Sequence, residues 1–139
     1  MPWNGKNGED GFTLIELLVV ILIIGILASI ALPLFLNQRA KAQDADAKSS
    51  ASVASRALEI YHQENDTYAG ADAAALVAIE PSLTQAQNLT VSGDTIDTYT
   101  LEVDSKSGDG PFRVQRDPTN IQRTCDNPGK GGCPISGEW

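Results

Sequence analysis

The side chain whose position most demands a chemical role is Glu16, a carboxylate surrounded by apolar residues near the N-terminus. Between Phe12 and Leu36 the only other polar side chains are Thr13 and Ser29. A carboxylate within an apolar run costs free energy unless it lies near an interface or finds a partner. The residues alone allow two explanations, an interfacial carboxylate without a specific role or a group that serves recognition.

No constellation of residues in the sequence indicates catalysis or cofactor binding. His62, the single histidine, has no cysteine or serine nucleophile paired with it. The segment 129–132, Gly-Lys-Gly-Gly, lacks the spacing and the Ser or Thr of a phosphate-binding loop. Asp104 to Asp109 places oxygen ligands in a turn but departs from the calcium-loop spacing, so we favour a solvated hairpin. We therefore expect no enzyme, no catalytic residues, no metal site and no cofactor.

Composition predicts one modest soluble domain with an acidic surface. The chain has 139 residues, with ten Lys and Arg against eighteen Asp and Glu, a net charge of −8 and 6% aromatic residues. With the apolar run set apart, about a hundred residues remain, which is a normal domain size. The acidic balance and the few aromatics both disfavour binding of nucleic acid.

Residues 12–36 have the length and composition of a transmembrane helix. At roughly 1.5 Å per residue the segment would be about 37 Å long, and a hydrocarbon core is about 30 Å thick. A core helix of a small soluble domain seldom needs so long an all-round apolar surface. Gly25 and Pro33 interrupt the run. Because Pro33 removes a backbone hydrogen bond and clashes with the preceding turn, we expect a kink or weak point there.

The helical pattern continues through residues 37–66 with an amphipathic character. No Gly or Pro occurs between Asn37 and Glu64, and good helix formers are plentiful. Apolar residues at steps of three and four predict one buried stripe, consisting of Ala47, Ala51, Ala54, Leu58 and Tyr61, widened by Ala57 and Ile60. The opposite, polar side carries Asp44, Lys48, Arg56, Glu59 and Gln63.

In the C-terminal part, residues 95–139, apolar and polar residues alternate with a period of two. This alternation predicts strands at Tyr99–Val103, Phe112–Gln115 and Ile121–Cys125. Residues 67–94 form a connector with a candidate edge strand at Asn88–Val91 and a short helix at Ala73–Ile79, capped by Asp72. A small sheet must bury one face, and the amphipathic helix is the only large partner. We therefore expect an α+β fold, in which the second half of a long N-terminal helix packs on a small antiparallel β-meander.

The segment Gly11-Phe12-Thr13-Leu14-Ile15-Glu16, followed by Leu17-Leu18-Val19-Val20, resembles the processing and methylation signature of the type IV pilin family. A short polar leader, the Gly at its end, the Phe after it and the Glu five positions further all match. The resemblance implies a leader peptide of residues 1–11, which a prepilin peptidase removes by cleavage after Gly11. It also implies methylation of the new amine of Phe12 and a role of Glu16 in subunit assembly.

The resemblance further implies a subunit that crosses the cytoplasmic membrane once and later joins an extracellular helical filament. This homo-oligomer is assembled by an ATPase and a platform protein. In the family, a Gly and a Pro at places matching Gly25 and Pro33 bound a segment that loses helicity in the filament. Cys125 and Cys133 are expected to form the C-terminal disulfide loop of an exported domain, with two free thiols as the alternative.

Two other interpretations stay open. A pseudopilin of a type II secretion system carries the same motif, although the pseudopilins that dominate the fibre often have a calcium site and no cysteine pair. A minor pilin or DNA-uptake subunit is the second, and the acidic surface argues against a broad DNA-binding face. Adhesion, twitching motility, DNA uptake and secretion are the roles open to such subunits.

Two groups of charges depart from the expected pattern. Many leaders of the family end in a basic residue, whereas this one ends in Glu9-Asp10 before Gly11. Lys6 is the only basic residue before the apolar run, but Arg39 and Lys41 follow it, which is the reverse of the positive-inside rule. We give the processing motif and the cysteine pair more weight than this small charge bias.

Overall fold

The structure, a computed structural model, describes Pro2 and residues 11–139. The expected leader, residues 1–11, lies outside the described residues apart from Pro2 and Gly11. The chain forms two compact units, Met1–Phe35 and Leu36–Trp139. From Gly11 onward the first unit consists of the start of a long helix. The second unit contains the rest of that helix together with a sheet.

Helices and strands follow one another in a simple order along the described part of the chain. They are α1 (Leu14–Asn65), α2 (Ala73–Ile79), a 3-10 helix (Pro81–Gln85), β1 (Gln87–Ser92), β2 (Tyr99–Asp104), β3 (Phe112–Arg116) and β4 (Ile121–Cys125). The strands pair antiparallel in the order β1-β2-β3-β4. This confirms the α+β class, the long N-terminal helix and the meander.

In the first unit, α1 exposes apolar side chains on all sides. The described chain contains one helix that is long and apolar enough to cross a membrane, and it is α1. The helix runs without a break through Gly25 and Pro33. The Ser29 hydroxyl donates a hydrogen bond to the carbonyl of Ile26 in the same helix, at 2.7 Å. The loss of helicity expected between Gly25 and Pro33 concerns the filament and stays a prediction.

The core of the second unit lies between one stripe of α1 and one face of the sheet. The stripe from Ala47 to Leu58 is buried as predicted, whereas Tyr61 is only partly covered and Ile60 is exposed. The sheet contributes alternate residues, because side chains of a strand point to opposite faces in turn. Those buried on the inner face are Tyr99, Leu101, Val103, Phe112 and Val114.

The connector contributes short elements that cap this core. Asp72 accepts a hydrogen bond from the amide of Ala75 at 2.8 Å and so starts α2 as predicted. The 3-10 helix that follows was not predicted, and it places Leu83 in the core. β1 is the edge strand that the sequence suggested, and its pairing with β2 shifts register between Gln87 and Thr90.

The prediction that Asp44 lies on an exposed polar side of α1 is wrong. Asp44 is 0% exposed and Lys48 is partly buried. The physical reason is that donors from two loops approach this part of the helix and satisfy the carboxylate, which then tolerates burial. The helical stripe is therefore wider at its start than the apolar residues indicate.

The predicted disulfide is confirmed. Cys125, the last residue of β4, is bonded to Cys133, with 5.9 Å between their Cα atoms. Inside the loop the amide of Cys133 donates to the carbonyl of Lys130 at 2.9 Å. Beyond the loop Trp139 returns to β4, where its amide donates to Arg123 and its indole Nε1 to Thr124. These contacts cover part of an edge that a sheet otherwise leaves unpaired.

Candidate functional site

The start of α1 is built by Thr13 and Glu16. The Thr13 hydroxyl accepts a hydrogen bond from the Glu16 amide at 3.2 Å, and the Thr13 carbonyl accepts from the amides of Glu16 and Leu17 at 3.1 and 3.2 Å. Thr13 therefore caps the helix, and Glu16 occupies its third position. This is the spacing of a capping box. Our sequence analysis missed it, although Thr-Leu-Ile-Glu before an apolar run was the available signal.

Glu16 thus has a local role besides any role in recognition. A helix N-terminus carries partial positive charge, and a nearby carboxylate stabilises it by about 0.3–1 kcal/mol. The Glu16 side chain is exposed in the isolated chain, as are its neighbours along the first turns. The geometry leaves the carboxylate available to a second group while it supports the start of its own helix.

Gly11 and Phe12 precede the helix and lie open to solvent. Phe12 is 85% exposed, and a Cβ added to Gly11 would have nothing within 4 Å. Packing among residues 11–139 therefore does not require glycine at position 11. A requirement for glycine there would come from an external protein that handles this junction.

The apolar surface that follows is continuous and uncovered. From Leu14 to Leu36 the large apolar side chains are all close to half exposed or more. Exposed apolar patches of such extent mark a contact with a membrane or with protein. A shallow groove runs beside Gly25, between Leu18, Ile21, Leu22 and Ile26, because Gly25 has no side chain to fill it. This surface, together with Glu16 at its start, is the candidate functional site.

The second unit contains a buried polar cluster around Asp44. One carboxylate oxygen, Oδ1, accepts hydrogen bonds from the hydroxyls of Ser105 and Ser107. The other, Oδ2, accepts from the amide of Gly132 at 2.7 Å. Lys48, one turn further along α1, donates to the carbonyl of Gly132. Asp44 and Lys48 together fasten the β2–β3 turn and the disulfide loop to the helix.

The disulfide loop can approach Asp44 so closely because it has glycines there. A Cβ at Gly131 would lie 2.2 Å from Asp44 Oδ2, and one at Gly132 would lie 2.8 Å from Asp44 Cβ. Gly131 also has a φ of 53°, which L side chains rarely adopt. The glycines of the Gly-Lys-Gly-Gly segment therefore have a packing role.

A second polar network joins α1 to the connector and to β3. The Tyr68 hydroxyl donates to both oxygens of the Glu59 carboxylate at 3.0 Å, and Arg116 Nη1 lies 2.8 Å from Glu59 Oε1. The Tyr68 ring meets Tyr99 edge-on, with 4.9 Å between centroids. Burial, and then the hydrogen bond to Glu59, raises the pKa of Tyr68 to about 12.

Neither network in the second unit offers an obvious metal centre. Within residues 11–139, no three side chains among His, Cys, Asp and Glu converge in a way that could hold a metal ion. Every polar group of the Asp44 cluster is used in hydrogen bonds to the protein itself. These networks hold loops in place.

Comparisons with known proteins converge on one class. The profile of the Prokaryotic N-terminal methylation motif matches residues 6–32. The type II secretion system core protein G of Pectobacterium carotovorum is 30% identical over 131 residues, which cover 92% of this chain and 74% of the relative. The type IV major pilin protein PilA of Myxococcus xanthus is 42% identical over 66 residues, 48% of this chain and 29% of the relative. PilE1 of Neisseria gonorrhoeae, also a type IV major pilin protein, is 35% identical over 100 residues, 72% and 54% of the two chains.

The matched N-terminal methylation motif lies at the start of a long apolar helix, which a small sheet follows. The chain belongs to the type IV pilin family, in the broad sense that includes type IV pilins and core protein G of type II secretion. It spans only 29% of the length of the Myxococcus relative. Similarity to the Pectobacterium protein extends through the helix and the sheet.

Replacement of the buried carboxylate should loosen both loops. Asp44→Ala leaves three partly buried donors without their acceptor, so we expect the free energy of unfolding to fall by about 3 kcal/mol. Hydrogen exchange should rise at residues 105–111 and 131–133. Asp46→Ala is the matched control, because Asp46 is exposed on the same helix. Equal stability of the two variants would contradict the role assigned to Asp44.

The second unit should lose stability at alkaline pH. Because the folded state raises the pKa of Tyr68 from 10.0 to about 12, the unfolded chain releases this proton first. The contribution of Tyr68 to stability is therefore fully present below pH 10, and it is lost as the pH rises towards about 12. Burial raises the pKa of Tyr99 in the same direction. Denaturant unfolding at increasing pH measures the effect, and Tyr68→Phe should flatten the decline. An equal slope in this variant would contradict the prediction.

Proposed function

We propose that the protein is a structural subunit of a type IV pilus-like filament and has no catalytic role. The subunit is held in the cytoplasmic membrane by a single helix before assembly and belongs to an extracellular homo-oligomer afterwards. The observation that carries the proposal is the uncovered apolar surface of α1, with one carboxylate in its first turn. The matching N-terminal methylation motif supports it.

The apolar surface requires two successive environments. In the membrane, lipid covers the first half of α1 without leaving backbone groups unpaired, because a helix satisfies them internally. In a filament, the same side chains would pack against equivalent helices of other subunits. The groove beside Gly25 is a place where a neighbouring helix can come close, since small residues permit short distances between helices.

Processing and assembly would depend on proteins known from the family. We propose that a prepilin peptidase cuts after Gly11 and that the new amine of Phe12 is methylated. An assembly ATPase and a platform protein would then move subunits from the membrane into the fibre. The exposure of Gly11 and Phe12 supports access of the peptidase to this junction.

A pseudopilin of a type II secretion system is the second candidate function. The similarity to core protein G over 131 residues favours it, whereas the Cys125–Cys133 loop is a feature that favours a surface pilus. Imaging of surface filaments and a measurement of protein secretion, in cells with and without this chain, separate the two. Loss of surface filaments supports the pilus, and loss of protein secretion with unchanged surface filaments supports the pseudopilus.

The processing step should be sensitive to one residue that the fold does not need. Gly11→Val adds a side chain in open space, so the variant should insert and fold as the unaltered protein does. It should nevertheless retain residues 1–11. Intact mass of the membrane-extracted protein should give a chain that begins at Phe12 and carries one methyl group, and the variant should give the longer chain. An unaltered protein that still carries residues 1–11 would contradict the proposal.

The assembly step should require the charge of Glu16. Glu16→Ala removes both the charge and the side chain at the third helical position, whereas Glu16→Gln keeps a side chain suited to a capping box. Both variants should insert and be cleaved after Gly11, yet form few or no filaments when fibres are sheared from cells and quantified.

The pair of variants separates recognition from helix capping. If Glu16→Gln assembled at the level of the unaltered protein while Glu16→Ala did not, the carboxylate would matter only for the start of α1. That result would falsify the proposed charge-dependent assembly. Cleavage after Gly11 in both variants, measured by intact mass, is the control for correct insertion.

A further inference from the structure

We propose that the disulfide loop and Lys41 form a docking surface for the headgroups of anionic phospholipids. This surface, the lysine face, consists of Lys41 on α1, Lys130 in the loop and Ile135 just after it. The inference rests on the proposed membrane-anchored state and adds to it a contact that the second unit makes with the bilayer before assembly.

The two lysines line one cavity in the second unit. It has a volume of about 410 Å³, and its lining includes Asn37, Lys41, Asp109 and Lys130. Both lysine side chains are exposed. The ion pairs found among residues 11–139 involve Arg113 and Arg116, so neither lysine forms an ion pair with a described carboxylate. Asp109 is the single acidic residue in the lining.

Lys41 follows the apolar segment by only a few residues, which would place it where headgroups begin. Leu36 ends the apolar segment and Asn37 follows it directly. Along α1, Lys41 is about 7.5 Å beyond Leu36 at 1.5 Å per residue. The polar headgroup region on each side of a hydrocarbon core is roughly 5–8 Å thick. Lysine at this depth reaches lipid phosphates with its ammonium group while its methylene stem stays against apolar surface.

An exposed apolar residue completes the surface. Ile135 is 89% exposed, the highest value among the large apolar residues of the described chain. Its Cγ1 lies 3.7 Å from the point that a Cβ on Gly129 would occupy, and Gly129 lines the same cavity as Lys130. Basic residues next to an exposed aliphatic side chain are the composition of an interfacial membrane contact.

Charge patterning favours lipid over other anions. The whole chain carries −8, so an anionic membrane surface would repel it. Lysines close to the span would offset this repulsion locally. Each basic residue near such a surface contributes about 1 kcal/mol. The contact also accounts for Arg39 and Lys41, which follow the span against the positive-inside rule. Arg39 and Lys41 would then bind lipid headgroups on the side of the membrane where the second unit lies.

The test uses the full chain in lipid nanodiscs of two compositions, phosphatidylcholine alone or phosphatidylcholine with phosphatidylglycerol. Hydrogen exchange is measured at residues 129–135. We expect slower exchange in the anionic discs, and this protection should weaken about fivefold for each lysine removed by Lys41→Gln or Lys130→Gln. Lys106→Gln is the matched control, an exposed lysine outside this cavity, and should keep the protection.

Several results would overturn the inference. Equal exchange in the two kinds of disc would do so, as would protection in phosphatidylcholine discs produced by inorganic phosphate. Protection that appears only with two chains per disc would assign the lysine face to a neighbouring subunit instead. A chain that enters neither kind of disc contradicts the membrane anchor itself, and this failure is separable because incorporation is measured first.

Discussion

The apolar surface on the first half of α1 is the constraint on which the other features depend. One continuous helix, Leu14–Asn65, must present apolar side chains on all sides at its start and a single apolar stripe further along. The first pattern marks a contact with a membrane or with protein, and the second is covered by a sheet of the same chain. The sequence meets both demands by changing the width of the apolar surface while it keeps the helical period.

The side of α1 that faces the sheet must also hold two loops in place, and Asp44 binds both of them. The stripe consists mainly of alanines, which allow the sheet to come close but cannot hold irregular loops. The β2–β3 turn and the disulfide loop present hydroxyl and amide donors to α1. A buried carboxylate with three donors fixes both loops at once, and the cost of burying its charge is offset because every contact is a hydrogen bond to the charged group.

Periodicity and local capping allowed much of the fold to be predicted. The limits of β4, the cap of α2 by Asp72 and the disulfide follow from short-range patterns, which the structure retains. Asp44 could not be predicted in the same way, because its donors come from residues more than sixty positions away in the sequence. Its charge indicated solvent, and only tertiary contacts reverse that preference. Thr13 was missed for the opposite reason, since its local signal was present but overshadowed by Glu16.

The position of Glu16 within the first turn gives the proposed cleavage an electrostatic consequence. Before cleavage the chain preceding Phe12 continues as ordinary peptide, and the partial positive charge of the helix start faces one carboxylate. Cleavage would add a cationic amine four residues before Glu16, next to helix amides that already disfavour a cation. In a low-dielectric environment the attraction between this amine and a nearby carboxylate is stronger than in water. Under the proposed function, the amine of one subunit would therefore be drawn both to its own Glu16 and to that of a neighbour. Because the capping contacts of Thr13 hold the Glu16 backbone in place, the proposed assembly would meet this carboxylate on a backbone of defined position.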